Sequence, residues 1–249
     1  MKMTSRILAV AAAPILACLV PLAAQAQLPG SKLPGGGVTP NFTGIWERAE
    51  GIRFNPTNEL PPFTPAYAQK YKDALAARSR GEVVADPTSR CLPPGMPRLM
   101  VASYPLEILQ TAGQVTIIAE WSSQVRRIFT DGRGHPPEDE LDVTFNGHSI
   151  GHWEGQTLVV DTVGLRGDTS FDASPLQHSD QIKVSERLRL ADPKTIEDVI
   201  TVTDPLAFTK PWVVTRHYKR GAAGLQIMEY VCEENNREII LPSQLKKSP

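Results

Sequence analysis

Four places in the 249-residue chain set ionisable or aromatic side chains at spacings that could move a proton or orient a small molecule. The first runs from Gly147 to Asp161 and reads as a β-hairpin. With Glu154-Gly155 as a two-residue turn, Trp153 faces Gln156 and His148 stands opposite Asp161. A four-residue loop keeps His148, Ile150, His152, Val159 and Asp161 on one face. A three-residue loop separates them, because a one-residue slip turns every side chain over. A carboxylate beside an imidazole fixes its tautomer and raises its basicity, so His148 with Asp161 is the leading candidate for a general-base pair. His148 and His152 are about 13 Å apart along a strand, too far for one metal ion to bind both. Gly147, Gly151 and Gly155 argue against the helix that would bring them together. The competing reading is an exterior His and Asp making surface hydrogen bonds.

The second place is Gln181 to Leu190. Ile182, Val184, Leu188 and Leu190 share parity with Glu186, which marks Glu186 as an inward carboxylate, either an acid catalyst raised by desolvation or half of an ion pair. The third is a final hairpin in which a loop at Gly221 to Gly224 sets Arg216 opposite Glu229 beside Tyr218, a set that could orient a carboxylate or phenol or form a static pair. The fourth is the loop Leu176 to Asp180, where His178 and Asp180 can share a turn at the end of a strand. His148, Asp161, Glu186, His178 and Asp180 are therefore the catalytic candidates. His152, Trp153, Arg216, Tyr218 and Glu229 are the ligand contacts, and His135 is a weak extra ligand in turn chemistry.

These residues need elements to hold them. From Tyr104 onward, short β-branched and aromatic runs are separated by Gly, Asp-Gly or Asp-Pro. Strands are expected over 104–111, 114–121, 125–130, 141–145, 148–153, 157–163, 181–190, 196–203, 212–220 and 225–233, with another in 44–54. Short turns between consecutive strands favour a meander, and so many edges must close on one another. The expected fold is all-β, an antiparallel up-and-down barrel of about ten strands. One helical, proline-rich insertion interrupts it over 58–98: Thr64 can cap, Pro65 suits the first turn, and the helix formers of 66–80 stop at Gly81.

Residues 1–26 carry Lys2 and Arg6, an apolar run, then Ala24-Gln25-Ala26, the order of a secretory signal cleaved after Ala26. The run is too short and interrupted by Pro14 for a stable membrane span. Residues 27–40 form a flexible Pro/Gly-rich leader, and 41–249 a single barrel domain, in the periplasm or secreted. Cys91 and Cys232 then reach an oxidising compartment, where a disulfide between them is one reading and two buried free thiols the other.

Asn41-Phe42-Thr43-Gly44-Ile45-Trp46-Glu47 resembles the Gly-x-Trp opening of lipocalin-type (calycin) barrels, and Arg237 stands where such barrels place a basic residue over that tryptophan. Ser89 to Gly95, Phe145 to Thr162 and His178-Ser179-Asp180 resemble a group of exported bacterial proteins of unknown function. The resemblance implies fold and export and brings no catalytic residues.

With 26 Lys+Arg against 27 Asp+Glu and no basic run, the counterion-release term that drives nucleic-acid binding is missing, so no nucleic acid is expected as partner. Gly-x-Gly-x-x-Gly, the phosphate loop, His-Glu-x-x-His, Cys-x-x-Cys and Gly-x-Ser-x-Gly are absent, so no cofactor and no metal are expected. The parity of the ionisable groups favours a cofactor-independent lyase or isomerase working on a small hydrophobic or aromatic molecule in the lumen. Decarboxylation or elimination on a phenolic acid has precedent in the similar barrel of phenolic acid decarboxylases, by fold analogy. The alternative is a non-catalytic periplasmic binding protein for a small apolar ligand. Oligomeric state is left open.

Overall fold

The computed structural model describes residues 39–82 and 86–232. Nine strands close a barrel in chain order: β1 (Gly44–Arg48), β2 (Leu106–Thr111), β3 (Gln114–Ala119), β4 (Gln124–Phe129), β5 (His148–Glu154), β6 (Thr157–Val163), β7 (Lys183–Asp192), β8 (Thr195–Thr203) and β9 (Trp212–Arg220). Every neighbouring pair is antiparallel except β4 and β5. That exception has a chain-path cause: residues 130–147 carry the chain back along the barrel before β5 starts, so β5 runs beside β4 in the same direction. The topology is the expected lipocalin-like one, with nine strands where about ten were expected.

Two expected strands are absent. Residues 141–145 contribute only the bridge Thr144↔Leu165. Residues 225–232 form no strand, because β1 pairs with the free edge of β9 and closes the barrel, leaving no edge for a tenth strand. The helix α1 (Pro65–Ser79) has proline in its first turn as expected, but the Thr64 hydroxyl donates to the Leu206 carbonyl instead of capping. No α1 residue is buried. The helix is an outer insertion, tied on by Tyr71 against Phe63 at 5.6 Å.

Strand alternation sends one side chain in two inward. Trp46, Ile108, Ile117, Ile128, Leu158, Val160, Val184, Ile200 and Val202 are fully buried there. At the end where β1 stops and β2 starts, the insertion and the loops 164–182 and 204–211 cap the barrel with Phe54, Phe171, Phe208 and Trp212. Their ring centroids lie 5.0–5.8 Å apart. Each such ring contributes roughly 1.5–3 kcal/mol on burial. Asp172 pins the cap by accepting the Phe54 N–H, and Asp204 accepts the N–H groups of Ser179, Leu206 and Ala207.

At the opposite end Trp46 donates its indole N–H to the Phe42 carbonyl at 2.8 Å. Arg237 lies outside the described residues. The cation over Trp46 is Arg220, at 4.2 Å from the ring centroid. Gly44 makes room for it: a Cβ there, at φ +133°, would stand 2.5 Å from Arg220 Nη1. The Cys91–Cys232 disulfide is formed, with Cα atoms 5.6 Å apart across 141 residues of sequence.

Candidate functional site

Parity placed Glu186 correctly, on the inner face of β7 and without exposure. Its partner is Arg126 of β4. Arg126 Nη1 donates to Glu186 Oε1 at 2.9 Å, and Nη2 to Oε2, closing a bidentate pair. The remaining Arg126 donors reach Ser149 of β5 and Thr162 of β6 at 3.0–3.3 Å. A carboxylate so tied, with no solvent contact, is a structural anchor and not an accessible acid.

Asp198 of β8 and Arg216 of β9 face each other across the ladder, both fully buried. Arg216 donates to the carbonyls of Arg53 and Gly51 at 2.8 and 2.9 Å, while its Nε, 3.8 Å from Glu50 Oε2, and both Asp198 oxygens have no hydrogen-bond partner. Burial, and then the Glu186 charge, push the Asp198 carboxyl well above the ordinary carboxylate range, against the pull of Arg126 and Arg216. Tyr218 points inward as expected and donates its hydroxyl to the Met100 carbonyl at 2.9 Å. Burial, and then Asp198, raise that phenol. Glu229 is exposed and lacks the expected strand pairing, since the described residues after β9 form no strand.

The hairpin register differs from the expected one. Gly155 and Gln156 form the turn, Gly155 at φ +59°, so His148 pairs with Val163 and Asp161 with Ile150. Parity survives the shift, and His148, Ile150, His152, Val159 and Asp161 do share a face, the outer one. His135, from the loop after β4, joins the two: its Nδ1 lies 2.8 Å from His148 Nδ1 and its Nε2 3.2 Å from Asp161 Oδ2. Burial, then His135 and Arg133, hold His148 below its ordinary pKa. His152 is solvent-facing beside Glu154, and Trp153 faces inward against Phe42 at 5.5 Å.

His178 is buried in the cap, bonded to the Thr169 hydroxyl and the Ser179 carbonyl, both at 2.9 Å, and Phe171 abuts its ring. Burial lowers its pKa. Asp180 is exposed. His178 therefore braces the cap with both ring nitrogens engaged, and it borders with Asp180 an open cleft of about 640 Å³.

The lyase or isomerase reading is corrected by this placement. Its proton-transfer set is divided among the outer wall (His148, Asp161), the sealed interior (Glu186) and the cap (His178, Asp180), with no cavity common to them. Among the described residues no group of three or more His, Cys, Asp or Glu side chains could hold a metal ion. Nor does any helix among them have the length and apolarity to cross a membrane.

The lumen around Arg126, Glu186, Asp198 and Arg216 is occupied by side chains, so open space lies elsewhere. A cleft of about 190 Å³ at the capped end is lined by Ile52, Val101, Ala102, Tyr104 and Trp121, with Arg98 and Asp172 at its polar margin. Arg98 is neutralised by Asp86 at 2.8 Å and lies over the Trp121 ring at 5.3 Å. Burial opposes ionisation of Asp86, but Arg98 and Thr88 outweigh it and hold that carboxyl low. The last described segment borders the cleft: Tyr230 meets Tyr104 edge-on at 5.2 Å, the Ser123 hydroxyl donates to the Tyr230 carbonyl, and the disulfide follows at Cys232. A second cleft, of about 360 Å³, opens between β4 and the run into β5.

No family model matches the chain, and no curated protein does. Among solved structures, the wild-type fluorescent protein UnaG overlaps 72% of this chain and 97% of its own, with 16% identity and a TM-score of 0.32. One of its point mutants gives 73% and 96% with 16% identity and the same score. The barrel assignment stands on the strand pairing and not on these overlaps.

Proposed function

We propose that this chain is a non-catalytic binding protein for a small hydrophobic or aromatic molecule, held in the cleft at the capped end of the barrel. The observation that carries this is the lining: Trp121, Tyr104, Ile52 and Val101 enclose an apolar space whose one cation, Arg98, already has its carboxylate. Ile52 is 52% and Tyr104 38% exposed, so aromatic and aliphatic surface stands in water unless something covers it. The volume is below the roughly 300–1,000 Å³ of drug-sized pockets, which suits a single or fused ring. A neutral ring is favoured, since a charged one would have to compete with Asp86 for Arg98. Site and lumen part company here: the expected ligand class is kept, and its place moves to the barrel end because side chains fill the interior.

The same reading puts the protein in the periplasm or outside the cell, with the first 26 residues removed. The charge-core-small order of those residues and the formed Cys91–Cys232 bridge support it.

The test is a fluorescence and thermal-shift titration of the oxidised chain with indole and 1-naphthol. Both should bind and raise the melting temperature, and Trp121→Ala should weaken binding by about tenfold with the fold intact, as expected on losing a buried aromatic wall. Equal binding by Trp121→Ala, or none by the wild-type protein, would overturn the proposal.

A further inference from the structure

The cleft of about 360 Å³ between β4 and β5 has a separate origin and a different chemistry. These strands are joined by only two registered pairs, Ile128↔Ser149 and Phe129↔Ile150. Toward the start of β4 they diverge, and Gln124, Arg127, Phe129, Phe145, Asn146 and His148 line the gap. Arg126 also borders it, but its guanidinium donors are engaged by Glu186, Ser149 and Thr162, so it offers no free charge to a ligand.

Two acceptors at the gap lack donors. Asn146 spends its Nδ2 on Gln124 Oε1 at 3.2 Å, and its Oδ1 is buried without a partner. The second follows from the hydrogen-bond network. A carboxylate only accepts, so His135 donates Nε2–H to Asp161, and in the neutral ring its Nδ1 is then a lone pair. His148 must therefore donate Nδ1–H to His135 Nδ1 at 2.8 Å, which leaves His148 Nε2 as the acceptor. No described residue hydrogen-bonds that Nε2. Burial, the largest cause of the lowered His148 pKa, favours the neutral ring that this tautomer requires. Phe129, 5.5 Å from the His148 ring and covered on a face by Arg133 at 4.0 Å, supplies an aromatic wall.

We propose that the β4–β5 cleft is a second binding site, for a planar aromatic molecule carrying hydrogen-bond donors, a dihydroxybenzene type, whose hydroxyls donate to Asn146 Oδ1 and His148 Nε2. An aromatic ring matches the Phe129 and His148 faces, and its donors can pair with Asn146 Oδ1, buried without a hydrogen-bond partner, and with His148 Nε2 on the half-buried ring. Of the arginines around the cleft, Arg126 is neutralised by Glu186 and Arg133 by Asp131, while Arg127 lines it from the exposed face of β4.

Calorimetric titration of the oxidised protein with catechol, and with 1,2-dimethoxybenzene as the same ring without donors, tests this. Catechol should bind, with the diether at least about tenfold weaker, and Asn146→Ala should weaken catechol by about tenfold, the scale of a lost hydrogen bond. Trp121→Ala should leave catechol unchanged. Long-range ¹H–¹⁵N spectra of the imidazoles should show His148 protonated at Nδ1 and bare at Nε2, a readout independent of any substitution. The inference is overturned by equal binding of the two rings, by no effect of Asn146→Ala, by absence of catechol binding, or by a His148 Nε2–H tautomer. Loss of catechol binding in Trp121→Ala would overturn it too, placing catechol in the end cleft and leaving the first proposal standing.

Discussion

Arg126 and Glu186 join β4 to β7 across the barrel interior, passing over β5 and β6, whose Ser149 and Thr162 share the guanidinium. The two side chains are 1% and 0% exposed, so each is compensated only by the other and by those hydroxyls. Removing one partner strands a buried charge.

Arg126→Met or Glu186→Leu alone should therefore cost about 3–5 kcal/mol, while the double substitution should recover most of that loss. Urea unfolding of the three variants measures it. Single variants within about 1 kcal/mol of wild type would show that the pair is not sealed.

Asp198 sets a pH dependence of opposite sign to the common surface carboxylate. Its folded pKa is raised above the ordinary 3.8, so the folded state holds a proton that the unfolded state releases. By linkage its contribution is fully present below pH 3.8 and is lost as pH rises toward the folded value. Asp198→Asn should flatten that part of the stability–pH curve and leave the neutral-pH protein at least as stable. An unchanged slope between wild type and variant refutes this.

His148 and His178 act in the other direction. Burial is the first cause in both, and each is held below the ordinary 6.5. The unfolded chain then binds more protons, so stability is present above pH 6.5 and falls as pH drops through the folded values. Imidazole NMR titration should find both midpoints below 6.5; a midpoint above it for either ring contradicts the burial account.

The disulfide closes a loop of 141 residues in sequence separation, for which the chain-entropy estimate is roughly 4–5 kcal/mol. Cys91→Ser with Cys232→Ser should lower the melting temperature accordingly. The oxidised chain without residues 1–26 should show no titratable thiol after denaturation, and two thiols would mean that the bridge does not form.

Much of the frame was legible because a strand's alternation is local. Val184, Leu188 and Leu190 announced the inner face of β7 and carried Glu186 with them, and Trp212, Val214 and Tyr218 did the same for Arg216. The same rule places Asp198 on the inner face of β8 among Ile196, Ile200 and Val202. Arg126 was harder to see, since Val125 and Phe129 make the opposite face of β4 look equally apolar. The hairpin slipped by one pair because Gly155 adopts a positive φ at the first central position of its turn, as a glycine-first two-residue turn requires, instead of the second.

The sequence by itself determined most of the strand segments, which side chains share a face and where the helix starts, all of them consequences of short-range sterics and period. Only the tertiary structure decided which shared face was inside. It wrapped β9 onto β1, sent Glu186 inward to Arg126, turned His148 and Asp161 outward to His135, and filled the lumen. Parity along a strand is blind to its partners: it says that two groups look the same way. What lies on that side is set by residues brought in from distant parts of the chain.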